Sequence, residues 1–230
     1  MTFMDRIALF QPVDFAAVGL LFFLWIAIGY RVEHPSAKHL STSMIMAGYR
    51  KEWMRQMVTR EPRIFDAQIL GTLRQGTAFF ASTCVIGIGG CLALIGNAER
   101  LAGVAADITL MNHPEIVWEL KIIVMTIFLT NAFLKFVWAN RLFGYCSVLM
   151  AAVPNDPDHA EAYKRAEQAA HINITAAKGF NRGLRSIYFA LASAAWLAGP
   201  IPLMLASVIT VTVIWRREFA SYSRKILLNP

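Results

Sequence analysis

The sequence predicts an all-α fold, a polytopic bundle of membrane-spanning helices extended into the cytoplasm. Three observations predict it. Of 230 residues, 57% are hydrophobic and 16% charged, whereas soluble domains carry about 25% charged residues. The apolar residues come in blocks, and one of these, Thr77 to Gly96, holds no charge; about 20 such residues in a helix span the ~30 Å hydrocarbon core of a bilayer. Trp118 and Trp138 bracket a further block at a separation of 20 residues, or about 30 Å of helix, the spacing of two interfacial belts.

The chain is organised around the stretch from Pro62 to Gly96. Its first half is amphipathic and charged and its second half apolar, so one helix is expected to start in water and end in the membrane, with Pro62 in its first turn, where a missing N–H costs nothing. Before it, residues 13–30 form a first crossing with Asp14 wet at its edge. The N-terminus has no basic run and no small-residue cleavage site, which favours a retained anchor over a signal peptide. His34-Pro35 marks a break. The basic stretch Ser41–Arg60 then has helical periodicity and suits a membrane surface or a partner helix.

Residues 77–96 are the second crossing. Gly87, Gly89, Gly90 and Gly96 crowd its far half and allow a helix to approach closely, or else line a pore. A loop with Arg100 and His113 leads to a long helix from Glu115 to about Met150, which contains the third crossing, 118–138. Asp156-Pro157 starts another helix, and Gly179 is its expected stop. Phe180 to Phe219 is too long for one crossing. The prolines at 200 and 202 place a turn there, giving crossings at 184–198 and 201–217. Five crossings are preferred and four remain possible. Residues 31–76 and 141–180 form cytoplasmic helical segments, with Met44, Met54, Phe65, Ile69, Leu73, Tyr145 and Leu149 as the expected core of a cytoplasmic layer.

Charge sets the orientation. Arg31–Gln75 carries eight Lys/Arg, Arg141–Arg185 six and the tail after Trp215 four. Five crossings put all three on one side, which the positive-inside rule makes cytoplasmic, with the N-terminus out and the C-terminus in. The net charge of +7 is then a signal for orientation and anionic lipid. No basic stretch is interleaved with aromatics as in a nucleic-acid module, so no nucleic-acid partner is expected.

Five stretches carry a resemblance: WMRQMVTREPRIFD (Trp53–Asp66), FFAST (Phe79–Thr83), FLKFVWANR (Phe133–Arg141), FNRGLRSIYFALASAAW (Phe180–Trp196) and RREFAS (Arg216–Ser221). In this order and spacing the chain resembles an uncharacterised family of membrane proteins, number 599 in the domain-of-unknown-function series. The resemblance covers nearly the whole chain. It implies a multi-spanning membrane protein of bacterial or plant type, placed here in a bacterial inner membrane. It brings no activity, cofactor or catalytic residue.

The residues themselves offer little chemistry. His34, His39, His113, His159 and His171 all lie outside the apolar runs, so none is placed as a haem ligand in the bilayer. No zinc spacing, P-loop, G-x-S-x-G or Rossmann fingerprint occurs. Cys84, Cys91 and Cys146 read as small hydrophobes. Glu52, Glu61, Asp66 and Glu218 neighbour arginines and read as ion pairs. No catalytic residue, cofactor or metal is assigned, and enzymatic activity is left uncertain.

Two function classes remain. One is a non-enzymatic membrane protein that binds anionic lipid or a membrane partner, as an accessory or scaffold subunit or a homo-oligomer. The other is a small oligomeric transporter or channel, which would need charges near the bilayer centre. The candidate site is the cytoplasmic rim, where Lys135, Arg141, Asn181, Arg182, Arg185, Arg216 and Arg217 converge, with Ser82 and Thr83 slightly deeper. Arginine forks suit phosphate or carboxylate, and the amide and hydroxyls add donors.

Overall fold

A computed structural model describes residues 9–36, 38–97 and 114–228. The expectations for Arg100 and His113 lie outside the described residues. The elements are α1 (Pro12–Glu33), α2 (Thr42–Val58), α3 (Ile64–Ile95), α4 (Glu115–Ala151), α5 (Ala162–Ala194), a 3-10 turn (Ala195–Ala198), α6 (Pro200–Phe219) and α7 (Tyr222–Leu228). No strand occurs among the described residues. Four helices, α1, α3, α4 and the stretch beginning with α6, are long and apolar enough to cross a membrane.

The helix boundaries follow from local chemistry. Ser41 caps α2 by accepting from the Met44 N–H and donates to the Val32 carbonyl at 2.9 Å, so one buried hydroxyl serves the end of α1 and the start of α2. Arg63 closes two other ends. Its Nη1 donates to the Val153 carbonyl at 2.7 Å, and its Nη2 donates to the carbonyls of Pro154 at 2.7 Å and Val58 at 3.1 Å. These are carbonyls at or just past the C-termini of α2 and α4, where no helical partner exists. The helix expected to begin at Pro62 begins at Ile64. Gly199, with φ of 123°, makes the turn between α5 and α6, and Pro200 opens α6 without losing a helical bond.

Gly179 does not stop a helix. α5 runs through it and packs on α4, where a Cβ at Gly179 would meet the Ala139 Cβ at 3.4 Å, while one at Gly183 would sit 2.7 Å from Phe136 Cε1. Gly183 thus allows the close approach to α4, and packing outweighs low helix propensity. The cluster in α3 behaves differently. Gly87 meets Leu129, while nothing lies within 4 Å of a Cβ at Gly89 or Gly90.

The chain packs as two compact units. The first comprises Met1–Arg31, Thr83–Ala132 and Leu184–Arg216. Its aromatic centre stacks Phe128 on Phe22 (5.1 Å) and Phe189 (6.1 Å), with Trp25 edge-on. Its outer faces carry exposed Phe23, Ile26, Ile86, Leu92, Ile127 and Ile209, an apolar surface that suits lipid rather than water. The 184–198 stretch is its most enclosed part. Arg185, Ser186, Phe189, Ala190, Ser193 and Trp196 are all buried, and Asn131 Nδ2 donates to Ser186 Oγ at 2.7 Å. Such a helix faces protein rather than lipid, so its hydropathy is low.

The second unit comprises Val32–Ser82, Phe133–Gly183 and Arg217–Pro230. Its core joins Met54, Met57, Leu70, Phe143, Cys146 and Met150 with the alanine face of α5, and Trp53, Leu73 and Leu149 pack against it. Met54, Leu73 and Leu149 thus lie where expected. Phe65 and Tyr145 do not: they are 60% and 42% exposed, because Phe65 turns to the Arg60 guanidinium and Tyr145 to Arg141. Met44 and Ile69 are half-buried and stand outside this cluster.

Candidate functional site

The predicted rim residues divide between the units. In the second unit, the start of α2, the middle of α5 and the end of α6 meet at Ser43. Its Oγ donates to Glu218 Oε1 at 2.8 Å and accepts from Asn181 Nδ2 at 3.2 Å, while its backbone N–H donates to Glu218 Oε2 at 3.0 Å. Thr42 Oγ1 donates to the Glu218 carbonyl at 3.1 Å. Next to Asn181 in sequence, Arg182 Nε donates to both Glu33 oxygens at 2.9 and 3.1 Å, and Nη2 adds an ion pair. Hydrogen bonding to Glu33 raises the Arg182 pKa above its ordinary value. Asn181 and Arg182 are therefore tied into the chain's own polar network.

Arg141 is presented outward. It is exposed, lies 5.9 Å from the Trp138 ring centre and 5.6 Å from that of Tyr145, and donates from Nε to the Tyr145 hydroxyl at 2.5 Å. All three sit one turn apart on α4, where i, i+3 and i+4 side chains meet. Lys135, one turn earlier, is half-buried; Arg217 and Ser82 are exposed. In the first unit, Arg185 is 7% exposed, and its Nε lies beside Gly29, where an added Cβ would meet it at an ordinary contact distance of 3.9 Å. Arg216 and Thr83 are exposed there.

A match to the family model described as "Protein of unknown function, DUF599" covers residues 16–223. The chain belongs to the DUF599 family. No curated protein and no solved structure matches it. The family brings no activity to this DUF599 chain, so the residues alone carry the functional reading. Among the described residues, no group of three or more His, Cys, Asp or Glu side chains is placed to hold a metal ion.

Sequence reasoning missed a second polar group in this DUF599 protein. Asp14, expected at a wet edge, is buried. Its Oδ1 accepts from Trp196 Nε1 at 2.7 Å, and its Oδ2 from the Gln11 N–H at 3.2 Å. Lys121 is only 5% exposed and stands 4.8 Å from the Trp118 ring centre and 5.9 Å from that of Trp196. One signal was available: Lys121 lies three residues inside Trp118, on the apolar side of the expected interface.

Proposed function

We propose that this is a non-enzymatic integral membrane protein of five crossings that holds an anionic lipid headgroup at its cytoplasmic rim. The meeting of Asn181 and Glu218 at Ser43 supports the count. A chain that leaves this point after residue 181 and returns to it by residue 218 crosses the bilayer an even number of times. α6 has membrane length, so the 184–198 end of α5 is its matching crossing. The basic segments then share one face, which positive-inside bias makes cytoplasmic, in an inner membrane with the N-terminus out and the C-terminus in.

The observation that carries the binding reading is Arg141 between Trp138 and Tyr145. The rings belong at headgroup level, and the cation one turn beyond Trp138 meets lipid phosphate there. Lys135 and Arg217 of the same unit add positive potential. Arg182 and Asn181 support the rim from within, holding Glu33 and Ser43.

Native mass spectrometry of the protein released from mild detergent tests this. Wild type should retain anionic phospholipid, and Arg141→Ala should lose about fivefold in retention, the worth of about 1 kcal/mol for one surface phosphate contact. Equal lipid retention by both proteins overturns the headgroup reading. An acidic protein partner lost with Arg141→Ala, in place of lipid, moves the same residue to a protein interface.

A further inference from the structure

The first unit contains a cavity of about 340 Å³ between the start of α1, the first turns of α4 and the α5–α6 turn, a size common for small-molecule sites. Most of its wall is apolar, including Phe10, Val117, Leu197 and Ile201. Its polar groups are unevenly matched. Both Asp14 oxygens are occupied, by Trp196 and by the Gln11 N–H. The Lys121 ammonium faces two indole rings, and no described residue accepts a hydrogen bond from it. Trp118 also lines the cavity, and its Nε1 is buried with no partner among the described residues.

An ammonium carries three N–H donors and an indole one. Buried donors without acceptors are costly. The rings ease the charge by cation–π attraction but accept no conventional hydrogen bond. Asp14 balances the Lys121 charge through space without satisfying either donor. An incoming anion would satisfy both, and the apolar wall would take whatever the anion is attached to.

We propose that this cavity binds an amphiphilic anion, a carboxylate or phosphate head on an apolar body, with Lys121 and the Trp118 indole N–H as donors. Trp118 belongs to one interfacial belt of the bundle, at the membrane face opposite the Arg141 rim in the five-crossing arrangement. The anion is thus reached from the non-cytoplasmic leaflet. The two carboxylate and phosphate sources, a fatty acid and a phospholipid, share this head chemistry.

The test titrates the full-length protein in neutral maltoside micelles with decanoate, decyl phosphate, inorganic phosphate and decyltrimethylammonium, following tryptophan emission and thermal unfolding. Decanoate and decyl phosphate should bind saturably, and the stronger of the two identifies the source. Lys121→Met should weaken binding about tenfold or more, as expected for loss of a charged hydrogen bond, with Lys121→Arg retaining it. Trp118→Phe keeps the ring, removes the N–H and should weaken binding about fivefold; it serves where Lys121→Met does not fold. The loss caused by Lys121→Met should persist in an Arg141→Ala background, which separates this site from the rim. Equal binding by wild type and both variants, or equal binding of decyltrimethylammonium, overturns the proposal and leaves Lys121 as a counter-ion to Asp14. Inorganic phosphate binding as tightly as decyl phosphate overturns the apolar half.

Discussion

Trp53 Nε1 donates a 2.7 Å hydrogen bond to Asp66 Oδ1, joining α2 to the first turn of α3 through a carboxylate with 0% exposure. Arg60 pairs with the same oxygen. The anion lies where the positive end of the α3 dipole favours it. Asp66→Ala leaves an indole N–H and a partly buried guanidinium without their acceptor. It should destabilise the second unit by about 2–3 kcal/mol, while Asp66→Asn should cost less. Protease susceptibility of α2 in detergent measures both.

Arg63 acts on three carbonyls at once. A lysine has the charge but not the fork. Arg63→Lys should therefore recover little of what Arg63→Ala loses, about 2 kcal/mol, since three carbonyls need donors in a fixed geometry. Cleavage between Val153 and Glu161 should rise similarly in both variants. Full rescue by lysine would show that charge, not geometry, is what Arg63 supplies.

Gly183 and Gly90 should respond in opposite ways to the same substitution. Phe136 is held between Phe80 and Phe180, with ring centres 5.5 and 5.4 Å away, so it cannot swing aside for a Cβ 2.7 Å from its Cε1. Gly183→Ala should cost about 1–3 kcal/mol, as overpacking does, and Phe136→Leu should relieve it. Gly90→Ala meets nothing within 4 Å and should be neutral or slightly stabilising through helix propensity. Thermal unfolding in detergent separates the two.

Cys146 gives the second unit an alkaline limit. Burial pushes its thiol up from 9.0, outweighing the Asn173 hydrogen bond and the Arg50 charge that pull it down. Its folded pKa therefore exceeds its unfolded one. Its contribution is fully present below about pH 9 and falls as pH rises through the folded value, since the unfolded thiol ionises first. Stability measured from pH 7 to 10.5 should fall above about pH 9, and Cys146→Ala should flatten that fall at the cost of a small cavity. Alkylation of folded protein at pH 7.5 should be slow. Rapid labelling of Cys146 would contradict its placement.

The apolar blocks and the Gly199-Pro200 turn were readable because each acts through nearest neighbours or the 3.6-residue period. Gly179 misled because its local meaning, a helix stop, loses to close packing on Ala139 forty residues away. Phe65 and Tyr145 misled because an aromatic ring can sit outside and cover a guanidinium as well as enter a core. In the candidate site, the outward Arg141 was legible from its place one turn past Trp138. The engagement of Arg182 by Glu33 was not, since 149 residues separate them. Asp14 and Lys121 escaped notice for the same reason: neither looks buried until Trp118 and Trp196 enclose them.

Five crossings underlie the placement of both proposed sites, and the α5–α6 turn tests them most directly. Ala198 and Ser223 are exposed, and the three native cysteines are buried. Single Ala198→Cys and Ser223→Cys variants, treated with a membrane-impermeant maleimide on intact cells with a permeable outer barrier and again after lysis, report the side of each. The account predicts that Ala198→Cys labels before lysis and Ser223→Cys only after it. Labelling of both from the same side would contradict it.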